Sequence, residues 1–228
     1  MQKFVVAALV SVALTGTASA SPFTITSSVG GAPSGVFKDD LNWLPTGNAG
    51  GSQAGVTVTF QPDAAVVTGS AAGLYAAPFL SNGNGTAFGD ADGVDLSRYI
   101  TSGSTGGNNA AAGATIGFDT AHKYFGLLWG SVDTYNALTF YKGAALIGTV
   151  TGADVAVVAN GDQGQNGTYY VNIVSDLAFD RVVATSSGYA FEFDNISYNP
   201  TAPGVPEPTA IALLGVALVG VARKLRRR

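Results

Sequence analysis

From residue 115 to residue 198 the chain keeps repeating one pattern. Short runs alternate apolar and polar residues, and glycine, asparagine or serine separates them. A period of two puts every second side chain on the same face of an extended strand. The pattern predicts strands over 115–119, 123–129, 137–142, 145–150, 168–174, 179–186 and 189–198. Lys142-Gly143 falls between two of these runs and reads as a hairpin turn. An earlier run, Val56-Thr57-Val58-Thr59-Phe60, alternates in the same way. Between residues 21 and 204 no stretch holds a helical period over eleven positions. Many short strands joined by glycine-rich turns predict an all-β fold, a single jelly-roll-like β-sandwich. Residues 21–55 and 81–113 are rich in Gly, Ser and Asn and read as loop with short extended pieces.

Composition removes several kinds of chemistry. The chain has no Cys and one His. That excludes a disulfide framework, a thiolate metal site and a multi-histidine metal site. Five basic residues stand against fourteen acidic ones between 21 and 204. Such a surface cannot neutralise phosphates, so no nucleic acid partner is expected.

The two ends differ from this body. Residues 1–20 carry Lys3, an apolar run and Ala18-Ser19-Ala20, the layout of a secretory signal peptide. Residues 205–228 hold three parts in order: Pro206-Glu207-Pro208, an apolar run over 209–222, and a tail with Arg223, Lys224, Arg226, Arg227 and Arg228. The apolar run reads as a short transmembrane helix. Fourteen helical residues reach only ~21 Å against a ~30 Å hydrocarbon core, and snorkelling basic side chains make up part of the difference. The basic cluster acts as a cytoplasmic stop, leaving the body outside. This predicts three parts: signal peptide 1–20, β-sandwich body 21–204 and tail 205–228.

That tail resembles the PEP-CTERM sorting signal. The resemblance implies a bacterial protein processed by exosortase, a membrane transpeptidase that acts near the Pro-Glu-Pro motif. It also implies a link to exopolysaccharide and biofilm. The runs Trp129-Gly130-Ser131-Val132-Asp133-Thr134-Tyr135-Asn136 and Phe191-Glu192-Phe193-Asp194-Asn195, with ALTFYKGAALIG between them, resemble a group of PEP-CTERM surface proteins. That likeness implies location and fold more than activity.

Within the body the candidate chemistry is sparse. Glu192 and Asp194 lie at i and i+2 on one strand and point to one face, with Phe191 and Phe193 on the other. The apolar phase shifts after Asp194, which predicts a bulge there. A polar outer face is the plain reading of the two acids; a calcium site is the functional one. Two acids on one strand cannot flank a sugar from opposite sides, so a glycosidase is disfavoured. Asp90, Asp92 and Asp95 lack EF-hand spacing and read as solvated turns, again with calcium as the alternative. His122 has no serine elbow to serve and reads as a turn or surface residue. Trp43, Trp129, Tyr135, Tyr169 and Tyr170 are the aromatics available to stack on a sugar, if they are not core. A glycan face would centre on Trp129, Asp133, Tyr135 and Asn136. The expectation is a non-enzymatic, cofactor-free surface protein with a structural or adhesive role in an exopolysaccharide matrix. The alternative is a lectin-like module with structural calcium.

Overall fold

The computed structural model describes residues 21–28, 31–103 and 113–204. The signal peptide and sorting tail, with the Pro-Glu-Pro motif, the apolar run and the basic stop, lie outside the described residues. Among the described residues no helix is long and apolar enough to cross a membrane.

The chain runs through β1 (Phe23–Ser28), β2 (Phe37–Asp39), β3 (Gly51–Gln53), β4 (Val56–Phe60), β5 (Ala64–Val67), β6 (Phe79–Leu80) and β7 (Gly93–Val94). It continues through β8 (Tyr99–Ser102), β9 (Gly113–Gly130), β10 (Asn136–Lys142), β11 (Ala145–Thr151), the one-turn helix α1 (Gly152–Val155), β12 (Tyr169–Ser186) and β13 (Phe191–Asn199). The fold is all-β, as the alternating pattern predicts. The expected hairpin at Lys142-Gly143 joins β10 to β11, and Gly143 takes the positive φ of 57° that the tight turn needs.

Two pairs of expected strands are each one long strand. The runs at 115–119 and 123–129 join as β9, and those at 168–174 and 179–186 join as β12. The exposed Asp119 and Thr120, and the break in β12–β9 pairing between Val174 and Phe179, mark where both strands bend. Polar residues at a bend read as a turn from sequence alone; here they are a kink in continuous backbone.

The bends let each long strand serve two halves of the sheet. The first half of β9 pairs with β4 and with the second half of β12. The second half of β9 pairs with β13 and with the first half of β12. The strands on the other side of β12 divide the same way, with β1 on its first half and β10 on its second. The two halves face each other across the core. Phe23 of β1 lies 4.8 Å from Phe140 of β10, and Phe125 of β9 lies 6.1 Å from Phe140, ring centre to ring centre. Phe125, Phe140, Phe179, Phe191 and Phe193 are completely buried there. Each such ring contributes roughly 1.5–3 kcal/mol by leaving water.

Phe125, Leu127 and Trp129 alternate into this core, so Tyr124, Gly126 and Leu128 face the other way. That second face is covered too. Leu80 packs on Leu128 and Tyr170, and the ring of Phe88 lies 6.0 Å from that of Tyr170. The segment between β5 and β8, whose part from residue 81 on is expected to be loop, is therefore a cover laid over the sheet.

Candidate functional site

β13 carries the acidic residues, and its position decides their fate. Its first residues pair with β8 on one side and β9 on the other, while its last residues pair with β2 and β9. The register slips between Asp194 and Ser197, and Asn195 takes a φ of 52°. This is the bulge predicted from the phase shift. It sits where the neighbouring strand changes from β8 to β2, leaving a gap in the ladder beside Asp194 and Asn195.

Glu192 and Asp194 share a face, with Phe191 and Phe193 opposite in the core. That face is not a polar exterior. The covering segment buries Glu192 to 2% exposure and Asp194 to 0%. Their partners then differ. Glu192 Oε1 accepts the backbone N–H of Ala76 at 2.9 Å, and its Oε2 is buried without a partner. Burial pushes the Glu192 carboxyl up to about 8, against the lowering effect of that N–H. Asp194 instead meets Ser97, whose hydroxyl lies 3.1 Å from its Oδ2.

The Asp90, Asp92 and Asp95 cluster is also less exposed than solvated turns would be. Asp92 is exposed and accepts the N–H of Gly83. Asp95 is 2% exposed, because its Oδ1 turns inward to the backbone N–H and hydroxyl of Ser97. Asp90 accepts the side-chain amide of Asn195 at 2.6 Å. Two acidic features separated by about a hundred positions thus meet under one cover. Nothing in their local spacing announces it. Among the described residues no three His, Cys, Asp or Glu side chains form a metal cluster.

The residues expected to contact glycan are placed unevenly. Trp129 is wholly buried, its ring 4.4 Å from Phe191, so it faces no ligand. Asn136 is also buried; it donates to the carbonyl of Ala190 at 3.1 Å and accepts the Ser186 hydroxyl at 2.6 Å. Tyr135 donates its hydroxyl to the carbonyl of Tyr189 and lies against the Asp133 carboxyl. Burial raises the Asp133 carboxyl above its ordinary range. One side of the Tyr135 ring lies against Gly188, where a Cβ would stand 2.8 Å from it, and the residue is otherwise exposed. Asp133, Tyr135 and Asn136 thus spend their polar atoms fixing the turn before β13. Tyr170 is buried in the second face, bonded to Ser197. Trp43 is half-buried and bonds the carboxylate of Asp39.

His122 is not at a turn or on the surface. It lies inside β9, 3% exposed, with Phe118 at 4.8 Å and Tyr198 at 5.1 Å between ring centres. Burial lowers its pKa, and its ring is one member of an aromatic cluster.

The open feature nearest these residues is a groove of about 450 Å³ between the 70–76 loop and the turn before β13. Tyr75 and Tyr189 are on its walls and Glu192 is at its base. Tyr189 is half exposed, so its ring is available beside that of Tyr135, which is about a third exposed. Sequence reasoning missed Tyr189 because it opens the run expected as strand 189–198, whereas β13 begins only at Phe191 and Tyr189 stands on the turn before it.

No curated protein and no solved structure matches the chain. One family model does match, the PEP-CTERM protein-sorting motif, over residues 204–228. Its span takes in Pro206-Glu207-Pro208, the apolar run and the basic tail. The chain therefore carries the sorting signal of an exosortase-targeted protein, exported and addressed to the cell surface.

Proposed function

We propose that this chain is a non-enzymatic surface protein, a β-sandwich body that exosortase detaches from its membrane anchor and that acts structurally or adhesively in an exopolysaccharide matrix. The observation that carries the reading is where the body stops. β13 ends at Asn199, the buried apolar core ends at Ile196, and the sorting match begins at residue 204. A cut near Pro206-Glu207-Pro208 leaves every described strand and every described core residue in the product. Arg223, Lys224, Arg226, Arg227 and Arg228 stay on the cytoplasmic side until then. The non-enzymatic reading draws support from His122, Asp133 and Asn136, each held by structural neighbours.

Deleting 205–228 tests the address. The expected result is a body with unchanged thermal unfolding that is lost from the cell surface. Unchanged surface retention would contradict the reading.

A second reading, glycan binding, is favoured by the groove over Glu192. Exposed tyrosine faces suit the apolar side of a sugar ring. A carboxyl held up to about 8 by burial meets neutral hydroxyls as both donor and acceptor. Under this reading Tyr189→Ala lowers retention on the host's own exopolysaccharide at least about tenfold, roughly the loss of one 1.4 kcal/mol contact. Equal retention of the variant and the parent would remove the groove from consideration.

A further inference from the structure

We infer that Asp95, Asp194 and the side-chain amide oxygen of Asn195 form a binding site for one calcium ion, opening at the cleft beside Asp90 and Ser97. The inference is independent of the proposed function. Its main support is a set of oxygens that the protein leaves unsatisfied. Asp95 Oδ2, Asp194 Oδ1 and Asn195 Oδ1 are each buried with no hydrogen-bond partner. The three residues are 2%, 0% and 1% exposed. A buried acceptor without a donor costs about 1–3 kcal/mol, and more when it is charged. The Asp95 and Asp194 carboxyls lie against one another, and with Asn195 next along the bulge the three oxygens call for a common occupant.

The donors nearby do not suffice. The Ser97 hydroxyl lies 2.6 Å from Asp95 Oδ1 and 3.1 Å from Asp194 Oδ2, yet it has one proton to give. The side-chain amide of Asn195 is committed to Asp90 through its nitrogen, which leaves its oxygen free. Among the described residues no basic side chain forms an ion pair with Asp95 or Asp194. Arg98, the nearest in sequence, turns away to the carbonyls of Asn42 and Leu44. The charges bearing on Asp194 are those of Asp95 and Asp90, both negative.

Local backbone explains how the residues converge. The bulge folds Asn195 into a left-handed conformation at the gap between β8 and β2. Without it, residues 194 and 195 would point to opposite faces. The donor type selects the ion. Carboxylate and amide oxygens with no sulfur or imidazole suit a hard cation. Only two carboxylates take part, and the amide replaces a third. Calcium accepts such mixed, irregular shells and completes them with water. A cleft of about 260 Å³, lined by Asp90, Asp95 and Ser97, gives water and ion a route.

The test uses the full-length chain in detergent, stripped with chelator and then titrated with calcium chloride by calorimetry and thermal unfolding. The expected stoichiometry is one ion per chain. With calcium about a hundredfold above Kd, Tm should rise by about 5–10 °C. Asp95→Asn and Asp194→Asn should each abolish the shift, while Asp92→Asn, on the exposed side of the same loop, should keep it. Absence of a calcium-dependent shift in the parent overturns the proposal, and so does binding that survives both variants. An equal shift with magnesium overturns the choice of ion. If the variants do not fold, crystals grown in calcium decide. An ion about 2.3–2.6 Å from Asp95 and Asp194 supports the site, and an ion elsewhere or none refutes it.

Discussion

Replacing Trp129 by alanine should destabilise the body by about 3–5 kcal/mol, enough to lower Tm by roughly 10 °C or more. Trp129 is wholly buried at the C-terminal end of β9, and its ring packs on Phe191, which packs in turn on Phe193. The indole also carries an opposing effect. Its Nε1–H is buried without a partner, which costs about 1–3 kcal/mol. Removing the ring relieves that cost but leaves a cavity the size of an indole, and the cavity term is larger. Trp129→Phe separates the two, since it keeps most of the apolar volume and removes the unsatisfied donor. It should fall within about 1.5 kcal/mol of the parent. Urea unfolding of both variants measures the pair. A Trp129→Ala cost below about 1 kcal/mol would mean that Trp129 is not core and would return it to the list of ligand contacts.

The second large effect is pH dependence. Burial raises Glu192 from an unfolded value of 4.5 to about 8. The folded state therefore holds a proton that the unfolded state releases between those values. Stability must then fall as pH rises from about 4.5 to 8 and level off above. A shift of this size corresponds to a few kcal/mol at most. Asp39, Asp95, Asp133 and Asp194 are also raised by burial and pull in the same direction. The body in chelator should be more stable at pH 5 than at pH 8. Glu192→Gln, which keeps an acceptor for Ala76 and mimics the protonated acid, should flatten part of that slope and raise stability at pH 8. A parent protein equally stable at pH 5 and pH 8 would mean that Glu192 is better solvated than its burial implies.

These effects show which parts of the molecule the sequence discloses. Val56 to Phe60 is legible as a strand because two alternating valines are buried and the threonines between them are not. The bulge at Asp194 is legible because a change of apolar phase has few other causes. The core roles of Phe191 and Phe193 follow from the same alternation. Long β9 and β12 are not legible as single strands, since their bends carry the polar residues that usually mark turns. β8 was missed because Tyr99–Ser102 is buried on both faces and has no alternation to detect. The site was misread for a related reason. Alternation says that Glu192 and Asp194 face away from the core, and it is silent on what lies beyond. The cover spanning Ala76 to Ser97 is glycine-rich and without period, so its role as a second layer appears only in three dimensions. The same cover turns Asp95 inward and brings Asp90 to Asn195. The sorting tail is the opposite case, because order and terminal position suffice to identify it and no fold is needed.

The central claim is that a complete fold is exported and cut from its anchor, and the intact mass of the protein from the host's surface and medium tests it most directly. The account predicts a species lacking residues 1–20 and the segment beyond Pro206-Glu207-Pro208, with every strand from Phe23 to Asn199 retained. A mass that keeps the apolar run and the arginine tail would contradict it, making the protein a permanently anchored one and withdrawing the main support for a matrix role.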